Sequence, residues 1–296
     1  MLAITGANGH LGTRMLKEQD RGAVRALVRS RHAAEQVSSA AGSDAAVRVV
    51  DYRDADGLAA ALEGCTGVVH LVGILKETAA SRYADAHERS CAALADAAAR
   101  AGVGRIVYLS ILGAAPDAAN ACLASRAAAE QILREGPVPV TVIRVPMVLG
   151  EGDYASRALC ARARRPWNLV LRPSSLEQPL YAGDVVAALR FAVGRIGASE
   201  LFELAGPESL PRSELIRRAA AALGRRTRVV PLPLGVGLAG AALLERLSAN
   251  PPVTRAMLGV LDHDDCIDPS PGARALEVAL TPLDETLRRC VAEAST

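Results

Sequence analysis

Residues 4–12 read ITGANGHLG: three glycines spaced by three, directly behind a short apolar run and directly ahead of a helix-forming stretch. Each glycine answers a separate backbone demand. Gly6 permits a tight turn off a strand, Gly9 lets the main chain approach a bulky anion, and Gly12 allows a helix to pack closely on that strand. A pyrophosphate suits such a turn, because the first N–H groups of the helix lack helical partners and the helix dipole favours negative charge there. The stretch therefore predicts a dinucleotide cradle built from Thr5, Gly6, Asn8, Gly9, His10, Leu11 and Gly12, with an ordinary structural turn as the alternative.

Such a cradle needs a parallel sheet behind it, and the chain has the pattern for one. Short β-branched runs at 2–5, 23–28, 46–50, 67–72, 104–110 and 138–145 alternate with Ala-rich amphipathic stretches, as βαβ units require. Helices are predicted over 81–101, with Ala84, His87, Cys91, Leu94 and Ala98 on one face, and over 119–134, with Cys122 and Arg126 one turn apart. Past residue 150 the pattern loosens into an Arg-rich, Pro-containing region over 155–180, then a helix over 184–194 and a strand near 201–204. Further helices are expected near 212–223, 234–247, 253–262 and 282–294, the last turning Leu283, Leu287 and Val291 inward. The expected fold is α/β, a doubly wound parallel sheet with a small, mainly helical C-terminal domain. Residues 1–150, with a return over 180–205, form the nucleotide-binding domain; 151–180 and 206–296 form the smaller one. A chain of 296 residues is long enough to bury the core this needs.

The second strand bears on which dinucleotide is held. An NAD site commonly ends this strand in a carboxylate for the ribose 2′-hydroxyl, whereas RALVRSRH ends in Arg29, Ser30 and Arg31. Guanidinium groups match a 2′-phosphate by bidentate, charge-assisted bonds. NADP(H) is thus expected, with NAD(H) as second choice and a solvated arginine face as the alternative. After the third strand, VVDYRD offers Asp51 to accept from an adenine amino group and Tyr52 to line the ring; Asp51 and Asp54 also suit a turn or a helix start. VVHLVG brings Leu71, Val72 and Gly73 to the carboxyl edge of the sheet, where open α/β sheets bind ligands.

In order and spacing, TGANGHLG, VVDYRD, VVHLVG, RIVYLS, VIRVPMVLGEGD, QPLYAGDVV and FELAGPESLPRSEL resemble the short-chain dehydrogenase/reductase superfamily, extended or atypical branch, over nearly the whole chain. HLVGILKE, LSILGAAPDA and NPPVTRAMLGVL are most similar to the nucleotide-binding accessory subunits of respiratory complex I and their bacterial relatives, with NmrA-like redox sensors as a second neighbour. The resemblance implies a doubly wound Rossmann sheet, a small substrate domain, and a nicotinamide end near Ser110 and Pro146. Active members follow that serine with a Tyr-x-x-x-Lys helix, and here Cys122-Leu-Ala-Ser-Arg126 takes its place.

In such reductases the phenol passes a proton while hydride moves, its pKa of about 10 lowered by the lysine. A thiol titrates near about 8.5 but is too short to reach the oxygen that a phenol reaches. Arginine has donors for ribose hydroxyls but relays no proton, with a pKa above about 12. The expected roles are cofactor holding for Arg126, space filling for Cys122 and carbonyl orientation for Ser110. Tyr154, past the sixth strand, and Lys76, past the fourth, are alternative proton donors that also suit cleft-lining or surface places. Tyr108 shares a sheet face with Ser110 and is expected in the core.

Other features mainly exclude. A net charge of +2 gives no global attraction to nucleic acid or membrane. The cysteines at 65, 91, 122, 160, 266 and 290 lack disulfide or metal spacing, and DHDDC at 262–266 reads as a solvated loop, so no metal is expected. Arg157, Arg162, Arg164, Arg165 and Arg172 cluster near Trp167. An anionic substrate, a lipid headgroup or RNA would suit that charge, yet one aromatic is too few for a stacking platform, and a solvated face is expected. The apolar run from Val229 to Leu244 is 16 residues with two prolines, too short and broken to span a membrane, and core or interfacial packing is expected for it in place of peripheral membrane contact. The opening MLAITGANG leaves no room for a signal segment, so a cytoplasmic setting is expected. Two functions remain: an NADP(H)-binding sensor or accessory protein with a protein partner, or a working NADPH-dependent reductase of a small carbonyl, quinone or activated alkene.

Overall fold

The computed structural model describes residues 1–18, 23–41, 46–78, 81–247 and 264–293. The helix expected over 253–262, and the first two residues of DHDDC, lie outside them. The chain opens with β1 (Leu2–Thr5), α1 (His10–Lys17), β2 (Val24–Val28), α2 (Arg31–Ala41), β3 (Ala46–Val49), α3 (Ala55–Leu62) and β4 (Gly67–His70). A π-helical turn, Ala84–Arg89, runs into α4 (Ser90–Arg100), followed by β5 (Arg105–Ile111), α5 (Ala121–Glu135) and β6 (Val140–Val145). Next come β7 (Val148–Leu149), α6 (Tyr154–Ala163), β8 (Trp167–Leu171), β9 (Leu176–Glu177), β10 (Leu180–Tyr181), α7 (Ala182–Val193) and β11 (Glu200–Glu203). The last elements are β12 (Leu210–Pro211), α8 (Arg212–Ala222), β13 (Arg228–Leu232), α9 (Leu234–Leu247), α10 (Ser270–Ala275) and α11 (Leu283–Glu293). They divide into two compact units, Met1–Arg144 with Val186–Phe202, and Val145–Val185 with Glu203–Thr296.

The first unit is the expected doubly wound α/β fold. Its seven strands lie in the order β11-β6-β5-β4-β1-β2-β3, and the β3–β2, β2–β1, β1–β4 and β4–β5 pairs are parallel. All four residues of β4 are buried and β5 nearly so, which explains why these strands read as unbroken apolar runs: both faces are covered. The chain steps outward through β2 and β3, then crosses to β4 on the other side of β1, so the order reverses between β1 and β4. Ligands of such sheets bind at that reversal, outside the carboxyl ends of the strands. Register aligns those ends, with Thr5 opposite Leu27 and His70, and His70 opposite Tyr108.

Local chemistry sets the helix starts. Asp54 accepts from the Asp56 and Gly57 N–H groups, which fixes α3 and gives that residue the helix-start role weighed above. Asn120 does the same for α5 through Cys122 and Leu123. Over 81–101 the structure departs from one continuous helix, because the π-helical turn widens the first part. That turn carries buried His87, whose Nε2 accepts from the Ile74 N–H at 3.1 Å.

The second unit has its own core, in which Leu159, Val170, Leu215, Leu283 and Leu287 meet from α6, β8, α8 and α11. Here the sequence pattern was least informative. α6 and β8 arise in the stretch that reads as loose, and β13 between two expected helices, since α6 starts on the buried cap Asp153 and the parallel β8–β13 ribbon joins segments far apart in sequence. No helix of the described residues is long and apolar enough to cross a membrane, and no His, Cys, Asp and Glu group among them could hold a metal ion.

Candidate functional site

The glycine turn shows why each glycine is there. Gly6 has a φ of +69°, its N–H donates to Tyr52 Oη at 2.7 Å, and the Gly9 N–H returns to the Gly6 carbonyl at 2.9 Å. A Cβ on Gly12 would fall 2.7 Å from both Ala7 Cα and the Gly6 oxygen, so α1 can approach only without one. At Gly9 the surroundings are open: a Cβ would meet the Gly6 oxygen alone, at 3.1 Å, and Asn8 and Gly9 are exposed. No side chain caps α1 and its first turn carries no acid. Its N–H groups and dipole therefore face solvent beside exposed backbone, which fits a pyrophosphate. His10 and Leu11, half-buried, form its first turn, and Thr5 is buried beneath, sharing a 2.7 Å hydrogen bond with His70 Nδ1.

Tyr52 differs from its expected place along an adenine. The ring is buried, and its hydroxyl donates to the Leu27 carbonyl at 2.6 Å while accepting from Gly6. It braces the turn from below, and burial pushes its phenol up to about 12. Asp51 does stay at the surface, held by Arg53 through Nη2 at 2.8 Å and Nε at 3.1 Å. Those bonds, with a smaller contribution from Arg29, hold its carboxyl below the usual range, so it remains an acceptor. At the end of β2, Arg29 and Arg31 are exposed and form no ion pair among the described residues, whereas Ser30 accepts from the Ala33 N–H and starts α2.

Leu71, Val72 and Gly73 follow β4 as expected, and Arg126 reaches them from α5. Its Nη1 donates to Tyr108 Oη at 2.9 Å, to the Leu109 carbonyl at 3.1 Å and to the Val72 carbonyl at 3.4 Å. The guanidinium thus clamps the ends of β4 and β5. Gly73 is what admits it, since a Cβ there would sit 1.8 Å from Nη2. Cys122, one turn earlier, is wholly buried and its thiol donates to the Ile74 carbonyl at 3.5 Å. Burial raises its pKa against the lowering effect of Arg126. Burial likewise pushes His70 and His87 down to about 3, with Arg126 adding to both, so they are neutral imidazoles. His70 Nε2, His87 Nδ1 and Arg126 Nε lack hydrogen-bond partners.

Ser110 belongs to a different network. Its hydroxyl donates to Glu130 Oε1 at 2.5 Å, and Arg144 grips the same carboxylate through Nη2 at 2.6 Å and Nε at 3.0 Å. The serine proton is therefore spent on a buried carboxylate. Glu130, Arg144, His70 and the hydroxyl of Tyr108 escaped the sequence reading. The only signal was Glu130 itself, an acid four residues after Arg126 amid the alanines of that helix. Lys76 is half-buried in the segment after β4. Pro146 and Tyr154 belong to the second unit, Pro146 half-buried after β6 and Tyr154 75% exposed at the start of α6.

Residues 6–162 match a family described as NAD(P)H-binding. The chain belongs to this family. Among curated relatives, NADH dehydrogenase [ubiquinone] 1 alpha subcomplex subunit 9 of Arabidopsis thaliana is 27% identical over 65% of this chain and 49% of its own, so the chain spans about half that protein's length. A ceramide reductase of Caulobacter vibrioides is 28% identical over 84% of this chain and 78% of its own. The Citrobacter triphenylmethane reductase in complex with NADP(H) shares the fold, with a TM-score of 0.76 at 20% identity over 98% of this chain and all of the other. The likeness to complex I accessory subunits and to atypical reductases, drawn above from motifs, is the likeness these proteins display.

Proposed function

We propose that the protein binds NADP(H) in preference to NAD(H) and acts as a cofactor-loaded sensor or accessory protein without a Tyr-Lys proton relay. One observation carries this reading: Cys122 and Arg126 are both buried, the thiol raised in pKa and the guanidinium Nη1 bonded to Tyr108, Leu109 and Val72. Neither group can move a proton at neutral pH. Gly9 and the uncapped start of α1 would take the pyrophosphate, Asp51 the adenine amino group, and Arg29 with Arg31 the 2′-phosphate. A bound nicotinamide would supply or accept hydride. Arg126, behind Gly73, would hold the edge of the sheet rigid beneath it and offer Nη2 toward ribose hydroxyls. An accessory role calls for a protein partner, and six free thiols suit a reducing, cytoplasmic setting.

The ceramide reductase, aligned over 84% of this chain, favours a second reading: an NADPH-dependent reductase of a small carbonyl, quinone or activated alkene, with Tyr154, Lys76 or water as proton source. Fluorescence titration with NADPH and NADH, followed by turnover assays across quinones and carbonyls, separates the two. Tight NADPH binding without turnover supports the sensor; turnover that survives Cys122→Ala and is lost in Tyr154→Phe or Lys76→Met supports the reductase. No binding of either nucleotide overturns both.

A further inference from the structure

The second unit carries a surface that includes none of the residues assigned above to the cofactor. β8 alternates strictly, with Trp167 and Leu169 58% and 50% exposed and Asn168 and Val170 buried. Its parallel partner β13 sets Arg228 beside Trp167 and Val230 beside Leu169, and Val230 is 43% exposed. One face of the ribbon thus offers tryptophan, leucine and valine to solvent. Helix α9 continues it: a Cβ on Gly237 would meet the Leu171 side chain at 2.5 Å, so helix and ribbon are in contact. From 234 to 244 the helix reads LGVGLAGAALL, without a polar residue, yet Gly235, Val236, Ala239, Gly240 and Leu244 are exposed. A helix facing water carries polar residues on its outer side. This one does not.

Charge along the stretches that build this surface is mostly of one sign, with Asp264 4.0 Å from Arg172 and Glu245 late in α9 as the acids beside them. Residues 154–176 and 219–244 together hold eight arginines and no Asp, Glu or Lys, in a chain whose formal charge is only +2. Arg165, Arg225, Arg226 and Arg228 are exposed and form no ion pair among the described residues. Arg225 Nη1 donates to the Arg164 carbonyl at 3.2 Å, which ties the approach to β13 to the approach to β8 and gathers these cations at the Trp167 end. Exposed apolar side chains edged by unpaired guanidiniums complement one partner in particular, a layer that is anionic at its surface and apolar beneath.

We propose that α9 and the β8–β13 ribbon seat this protein on a bilayer containing anionic lipid. Val236, Leu244, Leu169 and Val230 enter the acyl boundary, Trp167 lies at headgroup level, and the arginines pair with lipid phosphates. Contact is along the surface, since α9 spans only 14 residues. The solvated-face reading of the arginine cluster took no account of the apolar ribbon beside it.

Trp167 is the only tryptophan in the chain, so its fluorescence reports on this contact alone. Titration of the full chain with phosphatidylcholine vesicles carrying phosphatidylglycerol should shift its emission to the blue, allow quenching by brominated lipid, and bring the protein down with the vesicles. Pure phosphatidylcholine should do far less. The triple variant Arg165→Gln, Arg226→Gln, Arg228→Gln should partition about 100-fold more weakly, each arginine at an anionic surface contributing about fivefold, with its far-UV circular dichroism unchanged. An emission spectrum insensitive to anionic vesicles overturns the proposal. So does a blue shift that follows protein concentration without lipid, which assigns the face to a second copy, or an equal shift with polyglutamate, which assigns it to an acidic protein.

Discussion

Gly73→Ala tests the buried cation at the sheet edge. Gly73 is exposed, yet a Cβ there would fall 1.8 Å from Arg126 Nη2 and 2.4 Å from Cζ. Gly73 does not have a positive φ, so the backbone accepts alanine and the guanidinium must leave instead. On leaving, Nη1 gives up Tyr108 Oη at 2.9 Å and the Leu109 carbonyl at 3.1 Å. Hydrogen bonds to a charged group contribute roughly 1.5–3 kcal/mol each, but the cation regains water as it moves outward, which offsets part of the loss. A net cost of about 2–3 kcal/mol follows, or a fall in Tm of about 4–12 °C at roughly 2–4 °C per kcal/mol. Arg126→Met empties the space, and in that background Gly73→Ala should cost under about 0.5 kcal/mol. Thermal unfolding of the four proteins, followed by circular dichroism, gives the coupling directly. An equal fall in Tm with and without Arg126 refutes the clash, and with it the clamp across β4 and β5.

Gly12→Ala, which drives a methyl group into the Ala7 backbone, should cost about 1–3 kcal/mol and weaken NADPH binding in the same titration, whereas Gly9→Ala meets one oxygen at 3.1 Å and should leave Tm nearly unchanged. Gly9→Asp sets a carboxylate where the pyrophosphate would lie and should abolish nucleotide binding in a protein that still melts cooperatively. Arg29→Asp should move preference from NADPH toward NADH, read as the ratio of the two dissociation constants; an unchanged ratio removes the 2′-phosphate assignment. His70 and His87, pushed down to about 3 from an unfolded value of about 6.5, make stability complete above pH 6.5 and lose it as the pH falls toward 3. At about 1.4 kcal/mol per unit, the pair costs about 4 kcal/mol at pH 5, visible in the urea midpoint, and His87→Gln should flatten the curve.

The first unit was legible because its constraints are local and periodic. The six strands expected up to residue 145 lie within a residue or two of those observed, since all but the edge strand β3 are largely buried apolar runs and helices alternate with them. Gly12 could be read because only one residue type permits that approach. Tyr52 could not: whether a hydroxyl after a strand faces an adenine or reaches under a turn depends on Gly6, 46 residues away. The Glu130–Arg144 pair was hidden for the same reason, as α5 and β6 meet only in three dimensions. In the second unit β8 and β13 pair across about 60 residues, and β8 alternates in exposure with its apolar Trp167 and Leu169 outward and Asn168 inward, so its polar and apolar residues announce no strand face.

The groups around Gly73 share one property that bears on function. Burial pushes the Tyr83 phenol up to about 12, raises Tyr108 and Cys122 as well, and pushes both histidines down to about 3. Arg126 stays a cation throughout. From pH 5 to pH 8 none of these six groups changes charge, whereas general acid–base catalysis works best with a pKa near the working pH. A cluster so fixed is suited to holding a ligand and unsuited to exchanging protons with it. If turnover is found, its proton must therefore come from outside the cluster, and the pH profile should respond to Tyr154→Phe, to Lys76→Met or to neither, in which case water is the donor. A profile with an apparent pKa between 6 and 8 that vanishes in Cys122→Ala would refute this, because it would require a thiol that is wholly buried in the free protein to titrate in the loaded one.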